Sequence, residues 1–218
     1  MLWAVALTAV ILIVEAVGGA LSHSLSLISD AGHMMTDLLA MLLCLFAVSL
    51  ASRPATRRKT YGYHRLEILT ALINGTILVL VSLYLIVQAV GRVLRPETVA
   101  TRLMLYVAVV GLLANLGGIA ILSGSRHNLN VRGALLHVLG DALSSLGVIA
   151  GAIFMRVTHW YQADGVISIV IGGVILWGAV RLMWEACDIL LEATPSGMAL
   201  ADLTSALRSV EGVADLHD

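Results

Sequence analysis

Charge is scarce in this chain: Asp, Glu, Lys and Arg make up 12% of its 218 residues, while 59% are hydrophobic. A soluble domain carries about a quarter charged residues, and here the apolar residues gather in blocks near or above the roughly 20 residues that cross a bilayer. The chain therefore reads as a polytopic membrane protein. The net charge is −1, which gives a polyanion no electrostatic footing and excludes nucleic acid as a partner. Cysteine is limited to Cys44 and Cys187, far apart in or at the end of apolar segments. They read as small buried hydrophobes and say nothing about compartment. No Lys or Arg precedes the first apolar run, and Glu15 interrupts it, so this run reads as an uncleaved first span rather than a signal peptide.

The expected fold class is an all-α membrane protein of six transmembrane helices. The spans are expected at about Leu2–Leu21, Leu27–Leu50, Leu66–Val90, Leu103–Leu122, Ala134–Met155 and Gly165–Trp184. Gly18-Gly19 and Gly117-Gly118 offer small surfaces on which another helix can pack, and Glu15 is expected to face protein rather than lipid. Pro96 breaks the connection after the third span, and Trp160 and Tyr161 suit an interfacial belt. Leu200, Leu203 and Leu207 fall on one face of a short amphipathic stretch. One set of connections, with the tail and Arg181, holds nine Lys and Arg against four in the other set. That bias places both termini in the cytoplasm, and the expected location is a cell inner membrane.

Within the second span lies SDAGHMMTDLL, which puts Asp30, His33 and Asp37 at i, i+3 and i+7 on one helical face. A buried Asp costs about 2.5–3.5 kcal/mol on insertion scales, so these groups require partners. LLHVLGDALSS in the fifth span repeats the spacing with His137 and Asp141. Two imidazoles and two carboxylates from two helices make a four-ligand cage suited to zinc. Two independent His–Asp packing bonds are the weaker reading, because packing does not require two identical HxxxD pairs. Asp30 has two readings: a place on the ion path beside the cage, or a cap for the start of the second helix. His23, His64, His127 and His159 stand singly in connections and read as surface residues. Arg65 and Glu67 read as an ion pair.

The chain resembles the cation diffusion facilitators, most closely their bacterial zinc-type members. The resemblance runs through all six spans and rests on SLSLISDAGHMMTD, YGYHRLEILTALINGTILV, NVRGALLHVLGDALSS and ADGVISIVIGG followed by LL and a proline. It implies a metal/proton exchanger moving zinc, and also cobalt or cadmium, out of the cytosol as a homodimer, with a cytosolic ferredoxin-like domain after the sixth span. It implies His33, Asp37, His137 and Asp141 as the transport site. Gln88 stands where the family often has Glu and Gly165 where it often has Pro, and the connection between the fourth and fifth spans has only His127 in place of a histidine-rich run. On this reading residues 1–193 form the transmembrane domain and 194–218 the beginning of a truncated cytosolic domain.

Two rival functions fit these residues less well. Haem held between His33 and His137 leaves Asp37 and Asp141 without a purpose. A zinc-dependent hydrolase, or one using Ser144 with His137, needs an open position for water, and four protein ligands with no spare base point to carriage rather than catalysis.

Overall fold

The computed structural model describes residues 2–51, 65–123, 129–194, 200–210 and 212. The connections 52–64 and 124–128, with His64 and His127, lie outside the described residues, as do the side chains of Cys44, Arg65 and Glu67. Six long helices appear in chain order: α1 Leu2–Ser22, α2 Leu25–Ala51, α3 Arg65–Leu94, α4 Thr101–Ser123, α5 Leu129–Thr158 and α6 Gln162–Leu190. A short α7, Leu200–Arg208, follows where the amphipathic pattern was expected. There is no strand among the described residues.

Among the described residues five helices, α1, α3, α4, α5 and α6, are long and apolar enough to cross a membrane. α2, with 27 residues, is of similar length and carries the Asp30–His33–Asp37 stripe. The helices overrun the expected spans at most ends. α5, for instance, begins at Leu129 rather than Ala134, and α6 runs on to Leu190. Hydropathy marks where lipid ends, whereas the backbone ladder continues through polar residues beyond it. Large apolar side chains such as Leu80, Val87, Tyr106 and Trp177 point outward, and only 17% of the α6 span is buried. Such a surface suits lipid as the surrounding solvent.

α3 packs most extensively on α6 and α4 on α5, with α2 touching α1, α3, α5 and α6. Small residues set these approaches. A Cβ at Gly18 would collide with Val107 of α4, and one at Gly19 would meet Ile28 of α2 at 2.9 Å, as expected for this pair. Gly118 faces Val138 of α5, but Gly117 meets nothing, so only one of that second pair is a helix contact. An apolar core of Leu27, Met104, Val107, Val148, Ala152 and Met155 fills the space among α2, α4 and α5.

Three turns gather at one end of the bundle. α1 closes with His23 in the left-handed region (φ 55°), where the Ser24 N–H donates to Gly19 O at 3.0 Å and the His23 N–H to Ala20 O at 3.3 Å. This two-bond cap turns the chain directly into α2. Arg92, near the end of α3, donates to His23 O at 2.9 Å and pairs with Glu97 at 3.1 Å, tying the α3–α4 turn to the α1–α2 turn. Asp164, fully buried in the first turn of α6, brings in the third. Its Oδ1 accepts from Ser24 Oγ (2.8 Å), Ser26 Oγ (2.7 Å) and the Ser26 N–H (3.2 Å), and its Oδ2 from the Leu25 N–H at 2.6 Å. The carboxylate of one helix thus satisfies the open amides at the start of another. α1 begins and α6 ends at the opposite end of the bundle.

The cap reading of Asp30 is corrected by this arrangement. Asp164 fills that role from α6, and Asp30, in the second turn of α2, accepts a hydrogen bond from Ser144 of α5 at 2.7 Å. His23 and His159 are exposed in turns as expected, and His159 also adopts positive φ. Cys187 is free and half-buried rather than buried.

Candidate metal centre

Asp37 lies within one residue of the midpoint of α2, and Asp141 within three of the midpoint of α5. The two helices cross in opposite directions there. Three steps before His33 is Asp30, and three steps after Asp141 is Ser144. Four steps after His33 is Asp37, and four before Asp141 is His137. The register therefore pairs Asp30 with Ser144, His33 with Asp141 and Asp37 with His137 as successive rungs between α2 and α5.

The four expected site residues come together. Asp37 Oδ2 lies 3.5 Å from His33 Nε2 and 3.3 Å from His137 Nε2. Asp141 divides its oxygens, with Oδ1 3.7 Å from His33 Nε2 and Oδ2 3.7 Å from His137 Nε2. One ligand atom from each residue fits within 4.8 Å of all the others. Zinc bonds of about 2.0–2.2 Å to nitrogen and oxygen give a tetrahedron with edges of about 3.3–3.6 Å. The cross-helix edges here match that to within a few tenths of an ångström. Two ionised carboxylates with two neutral imidazoles carry two negative charges, which a divalent cation cancels.

The two imidazole rings stand edge to face, 5.8 Å between centroids. His33 Nδ1 is buried without a partner, so its ring is held by its Nε2 side. Thr36 donates to His33 O at 2.6 Å, a local bond that competes with the helix ladder beside the site. His137 is 47% exposed, against 17–22% for the other three side chains, and it is the open side of the cage. It borders a cavity of about 680 Å³ whose far wall is Val166, Val170, Val174 and Ile175 of α6. Its polar side chains are the cage residues and the adjoining Ser144.

Several polar residues fall elsewhere. Gln88 is exposed and donates to Tyr84 OH at 3.0 Å, away from the cage. Asn115 Nδ2 lies 3.4 Å from Ser145 Oγ. Ser144 is committed to Asp30, so it makes no nucleophile–base pair with His137. A haem between the rings is disfavoured as well, because Asp37 Oδ2 already lies against both Nε2 atoms. Sequence reasoning missed the Asp164 clamp. The one available signal was Ser24 and Ser26 flanking the start of an apolar run.

A model of the cation efflux transmembrane domain matches residues 1–191. The chain is 40% identical over 210 residues to a cadmium, cobalt and zinc/H(+)-K(+) antiporter of Bacillus subtilis, covering 95% of this chain and 68% of the relative. It is 42% identical to the metal cation efflux system protein CzcD of Cupriavidus metallidurans (99% and 68% covered) and 40% identical to the zinc transporter ZitB of Escherichia coli (100% and 70%).

Proposed function

The chain belongs to the cation efflux family, and from that premise we propose that it exports zinc through the cage of His33, Asp37, His137 and Asp141 in exchange for protons. It is a multi-pass membrane carrier of divalent metal cations and not an enzyme. The observation that carries the site assignment is the match between the cross-helix His–Asp distances of 3.3–3.7 Å and the edges of a zinc tetrahedron. The donor set is borderline nitrogen beside hard oxygen, which suits zinc and cobalt, with cadmium a further substrate as the relatives' names suggest.

The cycle follows from the ligands' shared chemistry. Neutral imidazoles and ionised carboxylates receive the ion on the cytosolic side. The helices then rock to expose the cage outside, where protons on the same nitrogen and oxygen atoms displace the ion. Moving two charges against about 100 mV costs about 4.6 kcal/mol and one returning proton recovers about 2.3, so a pH or metal gradient supplies the remainder.

In this reading α2 is the sixth span and both termini are cytoplasmic, in a cell inner membrane. The three turns sharing one end of the bundle support that alternation. Residues 1–193 form the membrane domain, and α7 belongs to the beginning of the cytosolic part, 194–218. The carrier works as a homodimer. Zinc uptake into inside-out vesicles tests the site: Asp37→Ala and Asp141→Ala insert normally but lose transport, and full uptake by both would refute the assignment.

A further inference from the structure

Glu15 sits in the body of α1, 1% exposed, and the cage does not use it. Its carboxyl group lies against the backbone of α4 at Gly111, where a Cβ would collide with Glu15 Oε1. Ser145 of α5 borders the same spot, and Asn115 of α4 reaches Ser145. Glu15 Oε2 is buried with no hydrogen-bond partner. Among the described residues the surroundings supply no fixed cation: α1 and α2 contain no Arg or Lys, and Arg102 and Arg156 stand at the ends of α4 and α5. The titratable groups acting on Glu15 are both acidic, Asp30 of α2 and Asp141 of α5. The titratable side chain in the interior of α4, Tyr106, is exposed on the outer surface, and Glu15 is the only titratable side chain in α1.

A bare carboxylate sealed among like charges is costly to bury, whereas a proton on it removes both the charge and the unmet acceptor. We propose that Glu15 carries a proton in the exchange, separately from the four side chains that hold the ion. A divalent cation arriving beside Asp141 offsets the negative field at Glu15 and favours release of the proton as H⁺. Departure of the ion restores the field and the carboxylate takes a proton back. Gly111 is the residue that makes room for this group. The inference rests on the cage reading in one respect, that the ion binds beside Asp141.

The test counts protons released per zinc bound, by calorimetry of the purified full chain in buffers of differing ionisation enthalpy. Glu15→Gln keeps the shape and removes the exchangeable proton. It should still bind zinc and release up to about one proton fewer per ion than wild type, while Glu15→Asp restores the count. An unchanged count in Glu15→Gln overturns the proposal, and so does loss of zinc binding, which would make Glu15 a ligand or a structural group. Infrared difference spectra of wild type keep the proposal open to refutation if Glu15→Gln fails to fold. Zinc should remove a carboxylic-acid C=O band that shifts in Glu15→Asp, and absence of any such band contradicts the proposal. Zinc binding by Asp141→Ala separates the two claims: unchanged affinity there sinks the cage, whereas the Glu15→Gln proton count reports on Glu15.

Discussion

The Ser144 hydroxyl donates to Asp30 Oδ1 at 2.7 Å, one helical turn beyond the cage on both α2 and α5. It is the outermost rung of a polar ladder on which the limited contact between these helices depends. Ser144→Ala leaves an acceptor unmet in a site 4% exposed, a loss of about 1–3 kcal/mol. The variant should melt at lower temperature yet still bind zinc, which stabilises the folded form by mass action. Thermal melts with and without zinc check this, and an unchanged melting temperature would contradict it.

The cage was legible in the sequence because His33/Asp37 and His137/Asp141 repeat a helical spacing inside apolar runs, where unpaired polar groups are hard to retain. The partnership of Asp30 with Ser144 was not, because it depends on the register between two helices that are distant in the chain. Asp164 was hidden for a similar reason. It lies beside Trp160 and Tyr161 and reads as part of a turn, whereas α6 already begins at Gln162, and its partners precede it by about 140 residues.

Asp164→Ala removes the acceptor for two backbone N–H groups and two hydroxyls in a fully buried site. The expected loss is at least about 3 kcal/mol, because bonds to a charged group are the strong ones. Asp164→Asn should be milder. Its oxygen can keep the three contacts now made by Oδ1, and only the Leu25 N–H is left without an acceptor. Equal melting temperatures for the two variants would show that the clamp does not act through these separate oxygens.

Zinc affinity should weaken as pH falls, because protons compete with the ion for the nitrogen and oxygen atoms of the cage. Each proton displaced by the metal contributes up to about a tenfold loss per pH unit. Zinc titrations across the pH series read the slope directly, and a flat profile would remove His33 and His137 from the site.

His33→Asp keeps four ligands while replacing borderline nitrogen with hard oxygen and adding a negative charge. Manganese transport should rise relative to zinc, and the pH response should lose one imidazole's contribution. Metal competition in vesicles at several pH values measures both. An unchanged selectivity order with an unchanged pH profile would show that His33 does not touch the ion.

The central claim is that four named side chains surround one ion, and zinc X-ray absorption on the metal-loaded full chain tests it most directly. The expected spectrum is four-coordinate, with nitrogen and oxygen at about 2.0–2.2 Å and the outer-shell scattering of two imidazoles; Asp37→Ala and Asp141→Ala should each alter it. A six-coordinate shell of oxygen alone, a thiolate ligand, or a wild-type spectrum from both variants would contradict the account.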